Sequence, residues 1–390
     1  MDLIKPRGCK DYLPNETKTL REIEATLSSL FELWGYMEVI PPSFEYYEFL
    51  TEGLGKDYKK KVYKIIDRDG EILALRPELT KPVGRIAMTH LAGEPRPLKL
   101  YYRGMIFLRE DPIEFPQIGV EIFGDPSICA DIEVLSLAIE SMKVIGIENP
   151  IVDLNHIKLI QGILDSVPVS EDYKELIKET LASKNFVLYR EIITFMEIPE
   201  GQKNFLFKLP LIRCKKRTLK DVKIPFNSSL IEEALNEIWK ILDNIEFEDI
   251  TIDLGMIRAL NYYNGIIFEL SNPKEGKIFG GGGRYDKLFN IPATGFAFSF
   301  KNLPSYRKEM DIDLIIKVTD TDRDLKKALK LVKKAREKGF KTLLLPPQAN
   351  EDRFVKIKNP KLLLKMEGQE IDEEELINSL TNGKTIKRNS

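Results

Sequence analysis

Residues 101–121 read YYRGMIFLREDPIEFPQIGVE. With the apolar residues just before them, they predict three strands, at 98–102, 105–110 and 117–123, joined by short turns. Gln117, Gly119 and Glu121 stand at i, i+2 and i+4, so on one strand all three face the same way. A glycine between two long polar groups leaves a shallow floor on which a small molecule can rest. The same spacing also suits a solvent-facing row of strand residues, so spacing alone leaves both readings open. Many strands on short turns with helices at their flanks predict an antiparallel sheet of α+β class.

The surrounding chain fits that frame. Residues 17–35 carry Leu20, Ile23, Leu27, Leu30, Phe31 and Trp34 at helical spacing, with Asn15 as N-cap and Gly35 as stop. Residues 36–40 read as a strand closed by Pro41-Pro42. Residues 62–66 and 71–75 flank Asp67-Arg68-Asp69-Gly70, a hairpin signal. A helix is expected from about Thr80, with Pro82 tolerated in its first turn, and another over 130–145. Residues 168–247 are mainly helical and highly charged, an inserted subdomain. Sheet signals return at 250–254, 265–270 and 293–300. The four glycines at 280–283 precede Arg284-Tyr285-Asp286 without the Gly-Lys-Ser/Thr of a phosphate loop, so they read as a tight turn where backbones approach closely. Beyond residue 308, strands at 312–318, 341–345 and 360–365 alternate with a basic helix at 322–338. The leucines and valine of that helix fall at helical spacing, which favours a solvated amphipathic helix over an RNA-facing one. The expected organisation is a core of residues 1–310, with a helical insertion at about 168–248. A small C-terminal α/β domain follows at 311–390, with a polar tail from about Asn382 expected to fray.

Composition removes several classes of function. The chain has 390 residues, 43% hydrophobic and 31% charged, and a formal net charge of -2. That gives an ordinary globular chain of two or three domains without a bulk electrostatic case for nucleic acid. Cys9, Cys129 and Cys214 share no CxxC spacing, so neither a disulfide framework nor a metal site is expected. With His90 and His156 the only histidines, zinc or triad chemistry is nearly excluded, and no cofactor is expected. The first residues lack an apolar leader, and no stretch approaches the roughly 18 apolar residues of a membrane span. A cytoplasmic protein is expected.

Polar residues outside the first strand set add candidates. Glu78 and Thr80, in LRPELT, sit between a strand and a helix, where a carboxylate can meet a ligand ammonium. Such an acid is also an ordinary first-turn residue. Residues 253–269, DLGMIRALNYYNGIIFE, contribute Arg258, which can bind a carboxylate in bidentate fashion, and Tyr262-Tyr263, which can wall a ring and bond its nitrogens. Adjacent tyrosines at a sheet edge also commonly serve packing.

The order of these segments is more specific than any one of them. GCKDYLP, LWGYMEVIPPSFE, DRDGEILALRPELTKPVGR, the opening stretch, RALNYYNGIIFE, GGGGRYDKL and ATGFAFSF run as they do in histidyl-tRNA synthetases, and the resemblance covers roughly residues 5–305. It implies a class II aminoacyl-tRNA synthetase-like core that is dimeric through the first motif, around residues 34–44. It also implies histidine contacts at Glu78, Thr80, Gln117, Glu121, Arg258, Tyr262 and Tyr263.

Two departures redirect the implied function. In the second family motif an arginine that grips the α-phosphate of ATP follows the phenylalanine at once; here the order is Phe107-Leu108-Arg109-Glu110. The long basic loop beyond it is reduced to Asp111-Pro112-Ile113-Glu114. In the third motif, the arginine that binds the γ-phosphate is Asn302. Losing one comparable contact costs on the order of a hundredfold in rate, so no catalytic residue is expected. Arg109 is not expected to substitute, since neighbouring strand residues face opposite sides. The combination is similar to the regulatory-subunit family of ATP phosphoribosyltransferase, synthetase paralogues that partner a short catalytic subunit in histidine biosynthesis and confer inhibition by histidine. The alternative is a working histidyl-tRNA synthetase. The C-terminal domain stands where synthetases carry an anticodon-binding domain, and it offers no recognisable anticodon-reading residues.

Overall fold

The N-terminal helix α1 (Pro14–Leu33) opens on a proline, whose fixed φ and missing N–H suit a first helical position. Asn15, expected as the cap, therefore lies inside the first turn. The helix buries Ile23, Leu27, Leu30 and Phe31, each worth about 1.5–3 kcal/mol, and the chain turns away where Gly35 adopts φ +82°. The computed structural model describes residues 4–258, 260, 262–272, 274, 276–301, 312–349, 360–367 and 371–382. It divides into two compact units, Met1–Asp11 with Leu20–Pro304, and Tyr12–Thr19 with Ser305–Ser390.

In the larger unit, β1 (Met37–Glu38) precedes β2 (Phe44–Tyr46), α2 (Tyr47–Thr51), α3 (Lys56–Lys60), β3 (Lys64–Ile66), β4 (Ile72–Leu75) and α4 (Thr80–Met88). The expected hairpin is present: β3 and β4 pair antiparallel. Asp67 Oδ1 accepts from the amides of Asp69 and Glu71, each at 2.9 Å, and Gly70 takes φ +85°.

Two ten-residue strands, β5 (Leu98–Phe107) and β6 (Glu114–Phe123), form the centre of the site. Two separate strands were expected where β5 runs unbroken. Gly104 interrupts nothing; its missing side chain makes room for Arg76. A Cβ there would lie 2.5 Å from Arg76 Nη2. That guanidinium donates to the carbonyls of Met105 at 2.9 Å, Pro41 at 2.6 Å and Pro42 at 3.1 Å.

Next come α5 (Ile128–Val144), β7 (Ile151–His156) and α6 (Ile157–Asp165), then helices α7 (Glu171–Ala182), α8 (Phe186–Phe195) and α9 (Glu200–Lys208). A short β8 (Arg213–Cys214), α10 (Lys216–Leu219) and α11 (Ser229–Asn244) follow, then β9 (Ile250–Asp253), β10 (Ile266–Asn272), β11 (Lys277–Arg284) and β12 (Ala293–Ser299). The sheet runs β1-β5-β6-β12-β11-β10-β7-β9-β8. It is antiparallel except at β1–β5 and β7–β9.

The glycines at 280–283 are not a tight turn but the body of β11, inside the sheet. They do mark close backbone approach: a Cβ on Gly280 or Gly282 would stand 2.1 or 2.0 Å from a carbonyl oxygen of β12. β7 had no counterpart among the expected strands. On β6 the alternation holds. Ile118, Val120 and Ile122 join the core with α1 and α5, while Gln117, Gly119 and Glu121 face the other side with Leu100 and Tyr102 of β5. The cysteines are unpaired.

The smaller unit holds a parallel sheet of β13 (Leu314–Val318) between β14 (Thr342–Leu345) and β15 (Leu362–Met366). Helices α12 (Thr321–Glu337) and α13 (Glu373–Asn382) pack against it through Ala328, Leu331, Val332, Ala335, Leu376 and Leu380. The apolar stripe of the basic helix thus faces its own core. The tail beyond Asn382 lies outside the described residues.

Candidate functional site

All seven residues singled out from the sequence line one cavity. Glu78, Thr80, Gln117, Glu121, Arg258, Tyr262 and Tyr263 are joined there by Tyr285, Ser299 and the backbone of Gly281 and Gly295. The space is small, about 60 Å³. An adjoining cavity of about 540 Å³ shares Arg258, Leu260, Tyr262 and Tyr263 with it and extends to Gln161 of α6 and Lys178 of α7. Ligand pockets commonly offer several hundred cubic ångströms, a size that the two adjoining cavities reach together and the smaller one does not.

Each polar group is held by the fold. Glu78 precedes α4, and its carboxylate accepts from the Lys81 amide at 3.1 and 3.3 Å, so the acid both serves the helix start and lines the cavity. Gln117 Oε1 accepts from the Leu79 amide at 3.0 Å, and its Nε2 stands 3.4 Å from Ser299 Oγ. Its amide is thereby fixed between α4 and β12. Arg258 Nη1 donates to the Phe268 carbonyl at 3.1 Å and lies 3.9 Å from Glu269. Its buried Nε has no partner in the protein, so donor capacity remains for an anion. Gly281 is required beneath it, because a Cβ would come within 2.0 Å of Nη1. Tyr262 and Tyr263 stack obliquely at 4.9 Å and meet the Tyr285 ring at 5.6 and 6.4 Å.

Glu121 is 1% exposed. Tyr102 donates to its Oε1 at 3.0 Å, and Tyr285 donates to its Oε2 in a short bond. Burial pushes its carboxyl up to about 8, against the hydroxyls that favour the charged form. Burial also raises Glu78, opposed by the Lys81 amide. The floor expected at Gly119 is not open: a Cβ there would lie 2.6 Å from the Tyr102 hydroxyl, which fills that space.

Tyr102 and Tyr285 were missed in the sequence. The pairing of Tyr102 with Gly119 across the two strands was the available signal for the first. Tyr285 follows the glycine run that was read as a turn, which hid its direction.

Leu108 lies in the apolar cluster with Leu54, Leu79, Ile106 and Phe115, 5% exposed. The turn beyond it is tight: its amide donates to the Ile113 carbonyl at 2.9 Å. Arg109 stands past the end of β5 and lines a separate basic cavity with Lys59, Lys60 and Lys64. The strand alternation expected to keep Arg109 from replacing the arginine therefore does not apply, because residues 108 and 109 lie beyond the strand. Asn302 lies outside the described residues. Among the described residues no group of three or more His, Cys, Asp or Glu side chains is placed to hold a metal, and no helix is long and apolar enough to cross a membrane.

The family model for histidyl-tRNA synthetase matches residues 8–303. An ATP phosphoribosyltransferase regulatory subunit of Halothermothrix orenii is 33% identical over 91% of this chain and 89% of its own length. A histidine–tRNA ligase of Methanocaldococcus jannaschii is also 33% identical, over 86% of this chain and 84% of its own. A crystal structure from Bacillus halodurans, described as an ATP phosphoribosyltransferase regulatory subunit/histidyl-tRNA synthetase, superposes with a TM-score of 0.84 at 26% identity. It covers 93% of this chain and 98% of that one.

Proposed function

The chain belongs to the histidyl-tRNA synthetase family, with its class II synthetase-like α+β fold, and from that premise we propose that it is the non-catalytic regulatory subunit of an ATP phosphoribosyltransferase. In this reading it binds histidine in the cavity of Glu78, Thr80, Gln117, Glu121, Arg258, Tyr262 and Tyr263. It acts in the cytoplasm on a short-form catalytic subunit and transmits feedback inhibition to it. The observation that carries the reading is the environment of Leu108. Where the family places its ATP-gripping arginine, the chain has a leucine packed into an apolar cluster, while the seven residues that the resemblance implies for histidine line one cavity. A site that can hold histidine and cannot clamp a triphosphate suits a sensor. The relatives named as regulatory subunits support the same role.

Self-association through the segment after α1 is part of the proposal. Met37, Ile40 and Phe44 are exposed there at 52%, 78% and 46%, with Leu33 at the end of α1 at 85%, apolar surface that a second copy would cover. tRNA has no part in this reading.

The second reading, a histidine–tRNA ligase, is favoured by the intact amino-acid cavity and by the archaeal ligase at equal identity. Histidine-dependent ATP–pyrophosphate exchange separates the two. The regulatory reading expects none with purified protein, and exchange at ordinary synthetase rates would overturn it. Its positive test is reconstitution: phosphoribosyl-ATP formation by a short catalytic chain should depend on this subunit and fall on titration with histidine.

A further inference from the structure

This inference rests on the histidine reading and concerns the proton balance of the same pocket. We propose that the pocket takes histidine together with one shared proton. Glu121 carries it while the pocket is empty and divides it with the ligand's imidazole once the pocket is filled. Glu121, held by Tyr102 and Tyr285, thereby selects a ring nitrogen able to share a proton.

Charge matching leads to this first. A histidine zwitterion brings an ammonium and a carboxylate. Among the lining groups, Glu78 and Arg258 match them, which leaves Glu121 facing the ring. Among the described residues, none that touches its carboxylate supplies a countercharge. Tyr102 on β5 and Tyr285 beyond β11 hold its two oxygens; when Glu121 carries the proton, its O–H donates to one of these hydroxyls and the other hydroxyl still donates to it. Thr80, Tyr262 and Tyr263 complete the polar wall, and Tyr36 feels its charge from elsewhere in the core. On β12 stands Gly295, where a Cβ would collide with the carboxylate at 1.8 Å. Lys81, beside Glu78, sends its ammonium away to the carbonyls of Phe49, Leu50 and Glu52.

A bare carboxylate enclosed in this way is uncompensated and costly. Its raised pKa of about 8 expresses that cost. A free imidazole titrates near about 6.5, so near neutrality the empty pocket and the free ligand together carry one proton. The filled pocket needs one. With two, an imidazolium would face a neutral acid; with none, a carboxylate would face a neutral ring.

Titration calorimetry on the full chain, in buffers of different ionisation enthalpy, counts the protons. Near pH 7 histidine should bind with almost no net exchange. Below about pH 6 it should release about one proton and lose roughly tenfold in affinity per pH unit. An analogue carrying a 1,2,4-triazole ring, which stays neutral there, should keep its affinity. At about pH 9 the wild type should take up roughly one more proton per ligand than Glu121→Gln, because the ligand ammonium titrates alike in both. If that variant does not fold, the acid limb of the wild type against the analogue decides alone. Equal proton counts in wild type and variant, or parallel acid limbs for histidine and the analogue, overturn the proposal and leave histidine binding intact. No histidine binding at any pH would remove both this inference and the functional reading beneath it.

Discussion

Position 108 carries more of the functional argument than any other single residue. Leu108 is enclosed by apolar neighbours, so a guanidinium placed there would have neither water nor a partner. Leu108→Arg, which restores the family's residue type, should therefore lower unfolding stability by about 3 kcal/mol or more and yield no pyrophosphate exchange. Urea denaturation and the exchange assay check the two halves. Exchange gained at unchanged stability would mean the cluster is not what excludes ATP. Glu121 gives a second test at this scale. Its carboxyl titrates at about 8 in the folded chain and near about 4.3 when unfolded. The folded state therefore holds a proton that the unfolded state has lost between those values. Stability from this group is full below about pH 4 and falls by roughly 1.4 kcal/mol per unit as pH rises toward 8. Thermal midpoints of wild type and Glu121→Gln should thus diverge across that window, with the wild type losing more. Parallel curves would count against a neutral buried acid.

Strands and helices show how far pattern reading reaches. The alternation of β6 separates Ile118, Val120 and Ile122 from Gln117 and Glu121 because side chains on a strand point to opposite faces in turn, and that arithmetic is legible in the chain. The helical stripe of α1 and the hairpin turn at Asp67–Gly70 are legible for similar local reasons. What local pattern could not supply is the identity of a partner across space. Gly104 resembles a break until Arg76 lies over it, and the glycines of β11 resemble a turn until β12 closes beside them. Tyr102 and Tyr285 escaped notice because their role depends on a carboxylate that other elements bring to them. Gly281→Ala tests the strand reading of that run. A methyl group there meets Arg258 Nη1 at 2.0 Å and the Phe268 carbonyl at 2.3 Å, so it must displace the arginine or bend β10 away. Histidine affinity should fall at least about tenfold, which is roughly 1.4 kcal/mol, by calorimetry. Unchanged affinity would mean that Arg258 does not need this strand to hold its place.

On the regulatory reading, the whole molecule must alter a reaction carried out on another chain. Inhibition requires only that histidine prefer one state of the complex over another, and a preference of about 1–3 kcal/mol gives a roughly 5–150-fold change in affinity or activity. The small cavity of about 60 Å³ bears on this, because Tyr262 and Tyr263 line both it and the larger adjoining space. The same tyrosines face residues of α6 and α7, so a ligand that displaced them would act beyond the pocket itself. Arg258 stands at the boundary between the two cavities, with an unpartnered Nε suited to a ligand carboxylate. Arg258→Ala should leave the complex with a short catalytic subunit assembled and active, since the arginine is expected to hold the ligand and not the partner. Feedback should be blunted, with the histidine concentration for half-inhibition rising at least about tenfold, as loss of a charge-assisted pair implies. Phosphoribosyl-ATP formation by the reconstituted complex, titrated with histidine, measures it. A variant inhibited as the wild type is would remove the sensor role from this cavity, even with the family membership unchanged.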